Sequence, residues 1–413
     1  MKESMLNTID LKKNKNNNKE IYNFFLVVFY MLIFEDLFSL IIPLFKITDE
    51  LIALSAILFF IYNLYKNKWK YHKNKMTLYL FLFVMITLIG NLRYNYQPIL
   101  LAVLPDLFLS LKFWLALYIG MFLFSKLNFD IYGKNIGFHI KLVTNIFILL
   151  FIVDLIFGGI FPGAIRYGFK STQLFYEAHS IFVAICIFLL SLLTLVKKHV
   201  RFADMYIFIL IMFIISTMRS KAFGAIVVYF FLYYLIILSN KYLNKKYLSC
   251  LIILALIVGA SQILFYFFDD NREGIARYVL QIVSLQIAND HFPLGGGFGT
   301  FAEYYSGKVY SPLYYNYEID AVQGITENEP SFLSDVFWPM IIGQSGYIGL
   351  IIYIYILKIL FDKIQKIRFY NNRKYMVALF VFLYLIISST AESAFVHYIS
   401  IPLAIVLGMC LKH

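Results

Sequence analysis

His291-Phe-Pro-Leu-Gly-Gly-Gly-Phe-Gly-Thr-Phe301 lies at the centre of the one long polar stretch of the chain, Asp269 to Asp335. Almost everything on either side of it is apolar, in runs long enough to read as membrane spans. Lipid offers no water to an open backbone, so spans must be helical and irregular polar chain has to lie outside the hydrocarbon. A loop of this length, held by rigid spans at both ends, is where chemistry can be assembled.

Composition agrees. Hydrophobic residues make up 61% of the 413 residues and charged residues 15%, with a mean hydropathy of +0.75. Soluble domains sit nearer to about 45–50% and about 25%. Even the long loop is too short to carry a core of its own. The expectation is an all-α polytopic protein: a cytoplasmic basic tail over 1–20, then a single membrane domain over 21–413 whose 269–335 segment is a large extracytoplasmic loop. The first apolar run lacks a small-residue cleavage site and reads as a retained span.

Runs of the length a span requires, about twenty residues, fall near 21–45, 51–65, 76–92, 98–124, 137–159, 176–196, 202–217, 222–239, 247–268, 336–357, 375–390 and 395–411. They predict twelve transmembrane helices with the large loop between spans nine and ten. Pro98, Pro105, Asp106 and Lys112 suggest that the 98–124 run opens with a short surface helix. The net charge of +12 sits in clusters between runs, such as Lys66 to Lys75 and Lys358 to Lys374. Such clusters make the positive-inside pattern and put both termini in the cytoplasm. They form no continuous stripe for a phosphate backbone, so no nucleic-acid partner is expected. Cys186, Cys250 and Cys410 are scattered through apolar runs and imply neither a disulfide framework nor a metal motif.

Of the 36 Lys and Arg, only ten fall on the outer side: Lys46, Arg93, Lys112, Arg166, Lys170, Arg219, Lys221, Arg272, Arg277 and Lys308. Outer positive charge opposes the insertion bias. Arg in particular suits bidentate binding of phosphate or carboxylate oxygens. Arg166, Arg219, Arg272 and Arg277 therefore suggest an outward-facing anion pocket, with anchoring to lipid headgroups as the alternative for each. Acids and imidazoles accompany them: Glu177 and His179 in Phe175-Tyr-Glu-Ala-His-Ser180, and Glu327 and Glu329 in Thr326-Glu-Asn-Glu-Pro-Ser331. A carboxylate or imidazole in a partly dry site can take a hydroxyl proton. Glu177 could instead favour a helix N-terminus through the dipole. His291 could be a loop residue packed beside Phe292. Glu392 and His397, between the last two runs, are further candidates.

Within the loop, Glu273 to Asp290 reads as an amphipathic helix, with Ile275, Val279, Ile282 and Val283 at helical spacing. The glycines that follow, Gly296 and Gly297 among them, let backbone N–H groups approach a ligand closely, a phosphate included. Tyr304, Tyr305, Tyr310, Tyr314, Tyr315 and Tyr317 then supply aromatic surface suited to sugar rings or to a membrane interface.

Twelve spans with a large outer loop before the last three, the Pro293-Leu-Gly-Gly-Gly-Phe-Gly299 turn, Gly346-Tyr-Ile-Gly349 in a following span, Thr217-Met-Arg-Ser220 at an outer turn and Arg277 upstream of the glycines form one layout. It resembles that of the bacterial O-antigen polymerase and O-antigen ligase superfamily. Ligase-type members carry His-Asn late in the large loop, where this chain has Glu327-Asn328-Glu329, a departure that favours the polymerase. The resemblance implies a metal-independent, GT-C-like glycosyltransferase without cofactor. It would act on undecaprenyl-diphosphate-linked glycans among membrane lipids at the outer face of the bacterial cytoplasmic membrane, with or without a chain-length regulator. On that expectation Arg219, Arg277, Arg166 and Arg272 bind the diphosphate with His179, Gly296 and Gly297, and Glu329, Glu177 or His291 acts in catalysis. An O-antigen ligase would share the topology. A flippase would have no need of the large loop and would concentrate charge along a central cavity, whereas Glu35, Asp36, Asp154 and Asp204 lie near span ends. A generic secondary transporter is a further alternative.

Overall fold

The computed structural model describes residues 2–66, 75–166, 168–244, 246–247 and 275–412. The helices are α1 (Lys2–Ile33), α2 (Glu35–Ile41), α3 (Thr48–Lys66), α4 (Lys75–Tyr94), α5 (Leu104–Phe122), α6 (Phe129–Ile156), α7 (His179–Val196), α8 (Ala203–Ser216), α9 (Ser220–Leu232), α10 (Ala276–Asp290), α11 (Tyr304–Lys308), α12 (Pro312–Asn316), α13 (Phe337–Ile367), α14 (Asn372–Ser388) and α15 (Ser400–Leu411). Among the described residues the only sheet is a small hairpin of β1 (Ile165–Arg166) with β2 (Phe169–Lys170).

Among the described residues six helical segments are long and apolar enough to cross a bilayer: Lys75–Tyr94, Ile99–Lys126, Phe129–Ile156, His179–His199, Ser220–Leu238 and Phe337–Ile367. A seventh would be α1 and α2 taken together, bent by 73°. The chain is an all-α, multi-pass membrane protein. Six or seven spans on this criterion are fewer than the twelve expected from the apolar runs, for physical reasons that differ from run to run. The 247–268 run lies outside the described residues from 248 onward. α8 and α15 are apolar but short, and α15 starts only at Ser400, which leaves Glu392 to Ile399 as a turn outside it. The 21–45 run is broken at Phe34, where two acids, Glu35 and Asp36, follow at once. The Ile33 carbonyl accepts from the Tyr176 hydroxyl at 2.9 Å. At the head of α5 the expected surface helix is a π-helical turn, Ile99–Val103, that runs directly into it.

Packing separates the core from the periphery. In α7, 94% of the apolar window is buried inside the protein, against 28% in α4 and 33% in α6. The outward faces of α4 and α6 present Leu78, Phe81, Leu149 and Ile152, surface that lipid accommodates and water does not. α5 and α15 meet at Gly120 and Gly408, where a Cβ on either would collide with a backbone carbonyl of the other helix. Small residues at such a crossing let two helix backbones pack closely in a membrane.

The long loop folds into a cap. The expected amphipathic helix forms as α10, starting at Ala276, and buries Leu280, Val283 and Ile287 while packing against α13. Phe298 and Phe301 of the glycine turn and Leu313 and Tyr314 of α12 are buried in it.

The glycine turn is locked to a kink in α13. Gly346 there has φ 63° and ψ −166°, a conformation open to glycine, and a Cβ on it would strike Leu294. The kink leaves the Gly343 and Gln344 carbonyls free to accept from the N–H groups of Gly296 and Gly297 at 2.9 and 2.8 Å. The next two amides are also taken. Phe298 donates to Asn91 Oδ1 at 2.8 Å and Gly299 to Asp106 Oδ2.

Candidate functional site

Two groups of charged side chains adjoin beneath the cap. The first is built where three connections converge. Ser171 closes the β-hairpin loop, donating from both amide and hydroxyl to the Ala164 carbonyl, and the Thr172 N–H binds the Ser216 carbonyl at 2.9 Å. That bond brings Arg166 alongside the tight turn between α8 and α9, in which Met218 has φ 52° and Arg219 caps α9. From the cap, Arg277 at the start of α10 donates to Asp335 at 2.6 Å, just before α13. Arg166 and Arg277 both act on Arg219 electrostatically. Burial, then the Arg166 charge, push the Arg219 guanidinium below its usual range, offset in part by Glu392 and Asp335. Lys221 pairs with Glu392. Arg219 Nε and Glu392 Oε1 are buried without a hydrogen-bond partner. A cation destabilised by burial and by like charge, with a donor still open, is an environment that an anion relieves.

The second group lines a cavity of about 440 Å³. Its walls come from α2 (Glu35, Asp36), the start of α3 (Asp49, Glu50), α5 (Lys112), the approach to α7 (Glu177) and the cap (Glu303, Tyr304, Tyr305, Lys308). The turn before α15 completes it with Ser393, His397 and Tyr398. Lys112 bridges Asp49, at 2.6 Å, and Glu50. Burial pushes the Asp49 carboxyl up, against the pull of Lys112. Glu303 is raised well above the carboxylate range by burial and then by Asp106, with which it shares a side-chain hydrogen bond. Burial holds His397 below the ordinary imidazole value, and Glu392, Lys221, Asp335 and Lys112 all act on it. His397 therefore lies between the two groups, reached by charges from both. Ser393 ties the same turn to the Ser334 carbonyl at 2.6 Å.

The structure brings several predicted site residues together. Arg166, Arg219, Arg277 and His179 are neighbours, with Arg166 and Arg219 both acting on His179. His179 is buried, its Nε2 within 2.6 Å of Ser171 Oγ. Glu177 lines the cavity but is exposed and paired with Lys46 at 3.2 Å. Arg272 lies outside the described residues.

Four others are elsewhere. Glu329 is exposed, and its backbone N–H binds Thr326. His291 is buried and both ring nitrogens are engaged: Nε2 lies within 2.8 Å of the Tyr96 hydroxyl, which ties the cap to the loop after α4, and Nδ1 lies within 2.8 Å of the Ile287 carbonyl in the last turn of α10. Gly296 and Gly297 spend their amides on α13, and the Asp106 carboxylate takes the place a bound anion would have on the turn. The close approach that the glycines permit is one of backbone to backbone.

Glu35, Asp36, Asp49, Glu50 and Glu303 were not singled out as site residues from sequence. One signal was available, since acids inside an apolar run, as at Glu35-Asp36, are expensive unless they face a cavity. No protein-family model matches the chain, and no curated protein sequence matches it.

Proposed function

We propose that the chain polymerises undecaprenyl-diphosphate-linked oligosaccharide repeat units into a surface polysaccharide at the outer face of the bacterial cytoplasmic membrane, as an inverting glycosyltransferase. In this reading twelve spans hold both termini in the cytoplasm and the 269–335 loop forms the outer cap. The observation that carries it is the convergence of Arg166, Arg219 and Arg277 beside a walled cavity. One group is suited to a diphosphate and the other to the sugar that attacks.

The donor would be a growing glycan on its lipid carrier, with its diphosphate against the arginines. As the C1–O bond breaks, the leaving diphosphate gains charge, and guanidinium groups fixed in a partly dry site stabilise it without reorganising. The acceptor sugar of a second carrier-linked unit enters from the cavity. A carboxylate removes its hydroxyl proton as the oxygen attacks from the side opposite the diphosphate, which inverts the anomeric centre. Of the acids offered by the sequence, Glu177 stands at the cavity and Glu329 does not line it. Glu392 does not line the cavity itself, but it stands next to Lys221 and Arg219, beside the cavity residue Ser393, with one oxygen unpartnered. We assign it the role of base.

The test is deletion of the gene in its own host, with carrier-linked and surface glycans resolved by size. Loss of long chains with single repeat units persisting is the expected result. Long carrier-linked chains left unattached would point to a ligase, and repeat units trapped on the cytoplasmic side to a flippase. An unchanged profile would overturn the glycan reading altogether.

A further inference from the structure

Glu35 is 7% exposed, lines the cavity, and its carboxylate accepts no hydrogen bond among the described residues. Among the described residues no ion pair reaches it, and Lys112 acts on it only at longer range. Asp49 and Glu50 share the one ammonium of Lys112. Lys46 is committed to Glu177, and Lys308 lies over the rings of Tyr304 and Tyr305 at 5.8 and 5.6 Å. Asp36, beside Glu35, accepts from the Glu177 N–H at 3.0 Å and from the Tyr398 hydroxyl at 3.4 Å, and among the described residues it too has no ion pair, Lys46 acting on it only at longer range. The cavity wall thus carries more carboxylate than ammonium.

A bare acid in such a place is stable only when neutralised by a proton or by a bound cation. Among the described residues no three His, Cys, Asp or Glu side chains are arranged to ligate a metal. The cavity volume falls within the range of about 300–1,000 Å³ typical of small-molecule sites. Tyr304, Tyr305 and Tyr398 in its wall present flat faces with polar tips, suited both to a sugar ring and to an ammonium group.

We propose that this cavity is the acceptor subsite and that it selects a sugar carrying a free amine, whose ammonium group is received by Glu35 and Asp36. The inference deepens the polymerase reading and rests on it. Hydroxyl groups of the ring find further partners at Glu177, Ser393 and Tyr305. A neutral N-acetylated sugar of the same shape would leave the excess carboxylate uncompensated.

The test is calorimetric titration of the purified full chain with D-glucosamine, N-acetyl-D-glucosamine and D-glucose at fixed ionic strength and neutral pH, with ammonium chloride as a control. Glucosamine should bind about ten-fold more tightly than either neutral sugar, the factor that one charge-assisted hydrogen bond supports. Glu35→Gln should abolish that preference. Equal binding of the three sugars, binding of none, equal heats from ammonium chloride, or a preference that survives Glu35→Gln would each overturn the proposal. The comparison within the unmodified chain decides the matter even if the variant does not fold. Binding is read without turnover, so glycan sizing tests the polymerase reading separately. An amine preference in a chain with no effect on polymer length would leave the binding site standing and overturn only its assignment as acceptor.

Discussion

Lys221 on α9 and Glu392 in the turn after α14 form an ion pair across 171 residues of sequence, with side chains only 16% and 15% exposed. The pair sets the floor of the arginine group, and each member has a separate duty. Lys221 holds Glu392, and Glu392 keeps one buried oxygen without a hydrogen-bond partner. Removing one partner of a buried pair leaves the other charge uncompensated, at a cost of roughly 3–5 kcal/mol. Lys221→Met should therefore lower the unfolding temperature of the purified protein sharply. Lys221→Met with Glu392→Gln should recover most of that loss, since the stranded charge is gone, yet make no long glycan. Recovery of polymer by the double variant would remove Glu392 from the chemistry.

Arg219 and Arg277 are proposed to bind a diphosphate through forked donors, a geometry that an ammonium group cannot reproduce. Arg219→Ala should reduce polymer formation by a factor of about 10²–10³, the loss typical of one preorganised donor at a developing oxyanion. Arg219→Lys should restore only a small part of it. Arg277 also anchors α10 to Asp335 at 2.6 Å, so Arg277→Ala should lower both activity and thermal stability. Glycan sizing at matched membrane protein levels reads the first effect and thermal unfolding the second. Full-length polymer from both alanine variants would defeat the diphosphate assignment.

Much of this arrangement was legible in the sequence, and the reason is electrostatic. The insertion bias clears Lys and Arg from the outer side, so those left behind are a short list, and Arg166, Arg219, Lys221 and Arg277 on it do meet in space. The acids were harder to place. Glu35 and Asp36 looked like charges at a span end because the apolar run around them gives no warning that the helix breaks at Phe34. Asp49 and Glu50 reach the cavity together from the start of α3 and Glu303 from the cap, and no local spacing relates the two places. The glycine turn misled for a different reason. Glycines permit close approach by any partner, and sequence does not say whether that partner is a phosphate or, as with Gly297 and Gln344, another stretch of backbone.

His397 supplies a pH dependence whose sign is fixed. Burial holds its imidazole below the ordinary value, which is about 6.5. The unfolded chain then takes up more protons than the folded one as pH falls below that value, so stability present above about pH 6.5 is lost on acidification. Asp49 acts in the opposite sense, because its carboxyl is raised. The difference between the native chain and His397→Gln isolates the histidine. Across a series of thermal unfolding curves from neutral to mildly acidic pH, the unmodified protein should lose ground relative to the variant. A constant difference would mean that the imidazole is not held neutral by the fold.

Asn91 offers the clearest separation of structure from chemistry at the glycine turn. Its side chain accepts from the Phe298 N–H at 2.8 Å and donates to the Phe298 carbonyl at 2.9 Å, satisfying both backbone groups of one buried residue. Asn91→Ala would leave both unpaired, at about 1–3 kcal/mol each, so the variant should unfold at a clearly lower temperature. If the turn only braces α13 and the cap, the folded fraction of Asn91→Ala should keep its polymerising activity per molecule at low temperature. A turn that cradled a phosphate through its amides would instead lose activity in that fraction, and Glu329→Gln, at an exposed acid on the cap, serves as the silent control. Activity per folded molecule, measured on membranes of known folded content, distinguishes the two outcomes.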